Sequence, residues 1–502
     1  MTSTARQMKK NLAMNIISFV TNVLIGLWLV PYLIRYLGVA AYGLVPLAMI
    51  LTDYMNVINL SINGSVARFY VLEVQAGNWK AASSVFSTAF FGMVFLILLQ
   101  IPILGTIVAN VSSIVTVPTG LITDAVVLFG FTFGGYLTSL LSSILNSSMY
   151  ALNRLDLSQT VSILRIIVRI TIIIVLFNIH DVSLVSVGIA NFTAAIAVFI
   201  FSFYWNRKLA PEVKIGFSFF DAKRLKGIFS MGGWLIVNQI GYLLFLKIDI
   251  FLINKLMGAS QAGEYAALVQ WNGLIRTFAG ILSGIFAPVI MIYYARKEIE
   301  KVISYTEFSI RYLTIFLVLV CGIISGFAQP ILSLWLGDSF ANKSNVLSAM
   351  LMPLAFAMST QSVLSVNRAY NKVMIPALVT VGMGVMNFVT SYLLIIHGYG
   401  FMGVALSGSI WLFMKNVIFT PIYGAYIMEI PYITLMKSLP VNLVLIVLIY
   451  LVSHYTCSFM HIESWVSLMI YSSIVTAFFT GIIYFFLISK KDKLLLIKLV
   501  KR

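Results

Sequence analysis

Seven charged side chains of this sequence lie inside long apolar runs. Five are basic and two are acidic: Arg165, Arg169, Lys247, Arg276, Lys415, Asp53 and Asp249. A charge within a membrane-spanning helix costs about 2.5 to 3.5 kcal/mol on insertion scales, so such residues are candidates for function by default. The basic excess predicts a site for an anion, and phosphate oxygens suit the guanidinium groups best.

Arg165 and Arg169 are four residues apart and therefore share one face of a predicted helix. If that helix begins near Leu157, the two residues lie about 12 and 18 Å along it, the second near the middle of a bilayer. A guanidinium group can hold two phosphate oxygens at once, so we expect both to bind substrate. The alternative for Arg165 is that its side chain extends to the inner interface and anchors the helix.

The other three basic residues are also predicted to bind substrate. Arg276 lies too deep in its apolar run to reach an interface easily, which favours a phosphate or acidic-sugar contact over a structural pair with a carboxylate. Lys415 has extension to the interface as its alternative. Lys247 is two residues from Asp249, so the two face different directions, and pairing with other helices is an equal alternative.

Asp53 and Asp249 are predicted as sites of ion coupling. Asp53 lies near the middle of an apolar run, where a carboxyl group can bind a proton or a cation. The alternative is that one of the predicted substrate-binding arginines neutralises it. Neighbouring asparagines, Asn56 and Asn59, add polar character that could bind sugar hydroxyls, although hydrogen bonds between helices are the commoner use.

These residues must be carried by membrane helices, because 60% of the 502 residues are apolar and only 10% are charged. A soluble domain has about 25% charged residues, so a soluble fold is excluded. The pattern predicts an all-α integral membrane protein with about fourteen transmembrane helices. Their approximate limits are 11–33, 42–63, 84–109, 121–148, 157–178, 184–205, 228–253, 263–290, 308–329, 345–366, 373–396, 400–425, 439–458 and 465–489.

Most of the 33 Lys and Arg residues fall on one side of these spans, with the N-terminus, the even-numbered connections and the C-terminus. Only Arg35, Lys255 and Lys343 fall on the opposite side. By the positive-inside rule both termini are predicted to be cytoplasmic. This asymmetry explains most of the net charge of +17 without a nucleic-acid partner.

Sequence features of an enzyme are absent. The connections are short, and no HExxH, Walker A, GxSxG or CxxC pattern occurs. The two cysteines are far apart and the four histidines are scattered, so neither a disulfide framework nor a metal site is expected. We therefore predict no catalytic residues, no metal and no cofactor.

The chain also repeats itself. Three matches recur in one order at a spacing of about 214 to 220 residues: Leu37-Gly38 with Met257-Gly258, Asn153-Arg154 with Asn367-Arg368, and His180 with His397. Six spans per copy is an even number, so both copies have the same orientation and would enclose a central cavity, as in transporters. The predicted domains are two six-helix lobes, 1–210 and 211–430, followed by two additional helices and a basic cytoplasmic tail, 431–502.

The full-length pattern resembles the polysaccharide flippases of the multidrug/oligosaccharidyl-lipid/polysaccharide exporter superfamily. The resemblance rests on length, span number, the repeat, and two motifs, Ala41-Tyr42-Gly43 after the first span and Ala262-Gly263-Glu264-Tyr265 opening the eighth. It implies a bacterial inner-membrane flippase, not an enzyme, that moves an undecaprenyl-diphosphate-linked oligosaccharide such as an O-antigen unit by alternating access. Implied partners are membrane lipids, a polysaccharide polymerase and chain-length machinery.

Two alternative functions are an exporter of the same superfamily and a membrane-embedded enzyme of polysaccharide synthesis. A multidrug or cation-coupled exporter of the same superfamily would favour acidic residues for cationic drugs, whereas here five basic residues face two acidic ones. A membrane glycosyltransferase or polymerase would usually need a large aqueous loop, which the short connections do not supply.

Overall fold

The computed structural model describes residues 2–222 and 233–488, and every regular element among them is helical. The start of the seventh predicted span and the basic tail after residue 488 lie outside the described residues. In chain order the helices are α1 Thr2–Leu37, α2 Val39–Gln75, α3 Trp79–Ala109, α4 Val111–Ile114, α5 Ile122–Leu145, α6 Ser147–Ala151, α7 Leu155–Ile179, α8 Leu184–Leu209, α9 Gly233–Leu246, α10 Ile248–Met257, α11 Ala259–Ala295, α12 Ile299–Gly326, α13 Ala328–Leu336, α14 Ser344–Ser359, α15 Gln361–Ala369, α16 Met374–Ile396, α17 Gly400–Phe413, α18 Thr420–Ile427, α19 Leu439–Met460 and α20 Trp465–Ile482.

Twelve candidate spans, some joining adjacent short elements, are long and apolar enough to cross a membrane among the described residues. A thirteenth is formed if α9 and α10, which are bent by 43° at a break, count as one span. The second predicted span, 42–63, lies on α2, where the side chains of residue 58 and residues 60–65 are outside the described set. The predicted membrane class is thus confirmed, and the count of fourteen remains a prediction.

Helix ends recur along the chain at the spacing of the sequence repeat. Gly38 and Gly258, both with positive φ, precede α2 and α11. His180 and His397 are the C-cap residues of α7 and α16. A residue at positive φ ends a helix and redirects the chain, so its recurrence at one spacing reflects a repeated helix order. These recurrences support the sequence repeat.

One match of the repeat needs correction. Asn153 has φ 55°, and its counterpart in conformation is Asn371, with φ 54°. Asn371 lies four residues after Asn367, and Asn367 itself lies inside helix α15. The sequence match was therefore one helical turn early, because the Asn-basic dipeptide occurs twice there, as Asn367-Arg368 and Asn371-Lys372.

The described helices fall into two compact units, Met1–Ala267 and Leu268–Arg502. The boundaries predicted at 210 and 430 concern the sequence repeat and remain predictions. In the first unit α5 packs along α8, and α7 packs against both α8 and α1. Small residues allow this closeness, since a Cβ on Gly188 would lie 3.1 Å from Leu128.

The two glycine motifs pack against each other inside the first unit, where α2 and α11 begin. A Cβ added to Gly263 would lie 2.1 Å from the carbonyl oxygen of Val39, and one added to Gly43 would lie 2.8 Å from the carbonyl oxygen of Ala259. Only hydrogen can occupy such contacts, so the motifs let two helix starts approach at backbone distance.

Helix α1 is fixed near its start by a buried carboxylate. Asp156, 2% exposed, forms one ion pair with Lys10 at 2.8 Å and another with Arg154 at 3.0 Å. Gln7 donates a further hydrogen bond to the same carboxylate at 2.8 Å. Because each of its oxygens has charged or polar donors, Asp156 joins α1 to the start of α7.

In the second unit α12 packs on α14 and on α19. Gly322 and Gly326, four residues apart on α12, face α19, and a Cβ on Gly326 would lie 2.3 Å from the Cβ of Ser453. This spacing is the small-residue pattern by which membrane helices approach closely. It docks the first of the two additional helices onto the unit.

Candidate functional site

A cavity of about 370 Å³ opens inside the first unit, and four helices supply its walls. Most of its lining residues are polar, and they come from α2, α5, α7 and α8: Met49, Thr52, Asp53, Asn56, Thr132, Gly135, Tyr136, Ser139, Leu140, Ser143, Arg165, Arg169, Asn191, Ala194 and Ala195. Three of the predicted site residues, Arg165, Arg169 and Asp53, therefore share one cavity.

Arg165 and Arg169 come from one face of α7, as their spacing predicts. Arg165 is exposed to the cavity, while Arg169 is half-buried and its Nε has no hydrogen-bond partner among the described residues. Neither guanidinium lies within 4 Å of a carboxylate in the described part of the chain. Two positive charges thus remain available to a ligand in the cavity.

The wall formed by α5 is a polar stripe that the sequence reasoning missed. Thr132, Tyr136, Ser139 and Ser143 are spaced by four, three and four residues, which places them on one helix face. That periodicity is readable in the sequence, but uncharged polar residues in a membrane span usually form hydrogen bonds between helices and do not by themselves indicate a site. Hydroxyl groups at this spacing suit a ligand rich in hydroxyl and phosphate oxygens.

Behind the stripe, Tyr136 links two buried amides. Its hydroxyl donates to Oε1 of Gln100 at 2.9 Å and accepts from Nδ2 of Asn59 at 2.8 Å. Oδ1 of Asn59 and Nε2 of Gln100 have no further partner among the described residues. Asn59, expected as a candidate sugar contact, is fully buried and serves this network instead.

Two lining residues, Thr132 and Asn191, also carry a buried polar atom without a described partner, namely Oγ1 and Nδ2. Buried polar groups in folded proteins are nearly always satisfied, by protein, water or ligand. A cavity this large and polar can hold ordered water or a polar ligand that supplies the missing bonds. The site therefore suits a hydrated, oxygen-rich molecule.

Asp53 is paired with a lysine, and not with either cavity arginine. Its Oδ2 lies 3.3 Å from Nζ of Lys247, and the two side chains are 41% and 35% exposed. Lys247 stands at the break between α9 and α10, where the path bends by 43°. The pair joins the cavity wall on α2 to this bend.

Asp249, two residues after Lys247, does not line the cavity of the first unit. It is buried in the first turn of α10 and accepts a hydrogen bond from the hydroxyl of Tyr265 at 3.4 Å. Its proposed role in ion coupling stays a prediction, and the geometry gives Asp249 a local partner within the first unit.

The second unit brings together the remaining two basic residues. Lys415 lies close enough to Arg276 for the two charges to interact. Arg276 donates through Nε to Oδ1 of Asn272 at 2.5 Å and through Nη1 to the sulfur of Met358 at 3.8 Å. The two cations thus form a cluster of their own within this unit.

Lys415 is carried by a π-helical stretch, Met414–Phe419, between α17 and α18. The stretch is marked by the backbone bond from the N–H of Thr420 to the carbonyl oxygen of Lys415, five residues back. The same oxygen also accepts from the hydroxyl of Thr420 at 2.9 Å. Such π-helical turns are frequent at functional sites because they redirect side chains. Nothing in the sequence pattern had indicated this turn.

Among the described residues, no three His, Cys, Asp or Glu side chains lie close enough together to hold a metal ion. What the described residues offer is a cationic, hydroxyl-lined cavity inside a bundle of membrane helices. This combination of fold and site defines a membrane transporter as the class of protein.

Comparison with known proteins identifies the family. The model of the family described as "Polysaccharide biosynthesis protein" matches residues 8–291, more than half of the chain. The protein belongs to this family.

Two relatives match over nearly their whole length. A Bacillus subtilis (strain 168) protein named "Uncharacterized membrane protein EpsK" is 28% identical over 488 residues, covering 96% of each chain. A Shigella flexneri protein named "Putative O-antigen transporter" is 22% identical over 424 residues, covering 82% of this chain and 97% of that one.

Two solved structures show the fold. A multidrug resistance MATE family transporter of the MOP superfamily, inward-facing, has a TM-score of 0.69 at 14% identity, covering 86% of this chain and 99% of that one. The lipid II flippase MurJ, inward closed, has a TM-score of 0.66 at 16% identity, covering 94% and 99%. The predicted family resemblance, all-helical membrane fold and transporter class are confirmed.

Proposed function

We propose that this protein is a flippase that moves an undecaprenyl-diphosphate-linked oligosaccharide across the bacterial inner membrane. The observation that carries the proposal is the cavity of the first unit, where Arg165 and Arg169 face a hydroxyl-lined space without a carboxylate partner among the described residues. The lipid tail of such a substrate can stay in the bilayer, while its diphosphate and sugars need a polar path.

The charge of the cavity favours an anionic cargo. Asp53 is neutralised by Lys247, so the two arginines leave the first-unit cavity with a net charge of about +2. A diphosphate group can take a bidentate contact from each guanidinium, and the polar stripe on α5 can bind sugar hydroxyls. Within the second unit, Arg276 and Lys415 form a separate cationic cluster that also suits phosphate oxygens.

The competing proposal is a multidrug or cation-coupled exporter. The structural similarity to a MATE transporter is compatible with this function. The charges among the described residues oppose it, because a cationic drug would be repelled by the two guanidinium groups in the cavity of the first unit. The name of the Shigella flexneri relative supports the polysaccharide branch.

We further propose that transport proceeds by alternating access, with the arginines open to the cytoplasmic side first and to the outer side afterwards. A membrane potential is worth about 2.3 kcal/mol per charge per 100 mV and can drive such a change. Both termini are placed in the cytoplasm on the basis of charge asymmetry. A polysaccharide polymerase and chain-length machinery are the proposed protein partners.

The test is export of polysaccharide in cells that lack the chromosomal copy and carry a variant. Arg169→Ala and Arg276→Ala should abolish surface polysaccharide while protein in the membrane stays at normal levels. Lysine at either position should rescue only partly, since it keeps the charge and loses the bidentate contact.

Arg207→Ala is the matched control, because Arg207 is an exposed arginine in the last turn of α8, away from the cavity lining. It should export normally. Normal surface polysaccharide in both the Arg169→Ala and Arg276→Ala cells would remove these residues from the site and with them the argument for an anionic cargo.

A further inference from the structure

A second cavity, of about 270 Å³, lies in the second unit between three helical segments. Its walls come from α12, from the segment Tyr432–Met436 with the start of α19, and from the end of the last span. It is lined by Glu307, Arg311, Ile315, Thr434, Leu435, Lys437, Ser438, Val441, Asn442 and Leu487. None of these residues takes part in the site proposed above.

One side of this pocket suits an anion. Arg311 uses Nη2 to donate to the carbonyl oxygen of Leu487 at 2.6 Å, which fixes the guanidinium, and within the described residues its other N–H groups make no hydrogen bond. Lys437 is 60% exposed at the mouth, and its Nζ is 3.7 Å from Oε1 of Glu307. Ser438, the N-cap residue of α19, adds a hydroxyl group that does not cap the helix.

The other side offers acceptors. Asn442 is 2% exposed, and its Nδ2 donates to the carbonyl oxygen of Ser438 at 2.7 Å. This bond fixes the amide so that Oδ1 is the remaining acceptor, and Oδ1 has no partner among the described residues. With the carboxylate of Glu307 nearby in the lining, this side needs a ligand group that donates hydrogen bonds.

The lining of this pocket therefore complements a molecule that carries an anionic group with a hydrogen-bond donor next to it. Arg311 and Lys437 together with Glu307 give a net charge of about +1, which matches a single phosphodiester charge. The surroundings are those of a bilayer edge, since Ile433 and Val441 are exposed at 67% and 51% beside the pocket. Exposed apolar side chains there can lie against acyl chains.

We propose that this pocket binds the headgroup of a membrane phospholipid, with the phosphodiester on Arg311 and Lys437 and a donating end group, ethanolamine or glycerol, on Asn442 and Glu307. The site does not rest on the proposed flippase function. It holds a resident lipid between α12 and the two additional helices, at the end of the spans that the charge asymmetry predicts to be cytoplasmic.

The experiment is native mass spectrometry of the purified full-length protein with added lipids. Phosphatidylethanolamine and phosphatidylglycerol should bind about tenfold more tightly than phosphatidylcholine, whose quaternary ammonium cannot donate to the buried acceptor. Lys437→Ala should weaken the binding of these two lipids about fivefold, because one basic residue near a membrane surface contributes about that factor to the affinity for anionic lipid. Soluble glycerophosphoethanolamine should bind far more weakly, because it lacks the acyl chains.

Lys301→Ala is the matched control. Lys301 is 61% exposed and pairs with Glu298 at 3.0 Å, as Lys437 pairs with Glu307, but it does not line the pocket. Its lipid binding should equal that of the wild type. Equal binding of phosphatidylcholine, or unchanged binding in Lys437→Ala, overturns the proposal. Saturation by glycerophosphoethanolamine at the same affinity would reassign the pocket to a free phosphodiester.

Discussion

The ion pair between Asp53 and Lys247 is consistent with two roles for Asp53 in the cavity of the first unit: neutralisation of the lysine, or binding of a coupling ion. If Asp53 serves mainly to neutralise Lys247, then what matters is that opposite charges stand on α2 and at the break between α9 and α10. If Asp53 binds a coupling ion, its carboxylate must stay where it is. Exchange of the two residues distinguishes these roles, and we expect the first.

The strength of the pair can be worked out from its geometry. At the observed 3.3 Å, two unit charges attract by about 5 kcal/mol at an effective dielectric constant of 20 and by about 1 kcal/mol in water. Both side chains are more than a third exposed, so water screens the pair, and we expect about 1 to 2 kcal/mol. That corresponds to a factor of about 5 to 30 in an equilibrium between paired and open states.

The assay compares Asp53→Lys, Lys247→Asp and the double exchange by surface polysaccharide and by the thermal unfolding of purified protein. Each single variant places like charges together and should lower both measures. The double exchange should restore most of the stability and export. A double exchange that is stable and abundant in the membrane yet exports nothing would refute the neutralisation role and assign Asp53 to ion coupling.

Two further predictions concern stability. Asp156→Asn should lower the free energy of unfolding by about 3 kcal/mol, because it leaves the basic partners of a buried carboxylate uncompensated. Asp181 is exposed, so Asp181→Asn should leave the thermal unfolding midpoint unchanged. Equal midpoints for both variants would contradict this prediction. Gly263→Ala should destabilise the protein by about 1 to 3 kcal/mol, since its Cβ would clash with the Val39 carbonyl oxygen. Gly273→Ala on the same helix has open space for a Cβ and should not destabilise it. An unfolding midpoint unchanged by Gly263→Ala would show that α2 and α11 are not in close contact.

The sequence predicted the helices well because the membrane leaves few alternatives. Backbone groups in hydrocarbon must bond within their own helix, so a long apolar run predicts a span directly. The same reasoning found Arg165 and Arg169, since a charge inside such a run is conspicuous and a spacing of four defines one helix face.

The neutral members of the site were harder to find. The spacing of the hydroxyl stripe on α5 can be read in the sequence, but threonine, serine and asparagine in membrane spans usually form hydrogen bonds between helices, so their presence does not mark a cavity. Asn191 has no such pattern around it. The π-helical turn at Lys415 and the break at Lys247 also depend on how neighbouring helices satisfy or displace backbone bonds. Periodicity along one helix contains no such information.

By itself, the sequence determined that this is a multi-pass helical membrane protein with a repeated helix order and a surplus of cationic charge inside its spans. These properties are local or statistical, because hydropathy, charge and spacing are read along one dimension. Only the tertiary structure decided which charges meet. It paired Asp53 with Lys247 and not with an arginine, and it lined a cavity with the hydroxyls of α5. Such choices depend on helix packing in three dimensions, where residues nearly two hundred positions apart become neighbours.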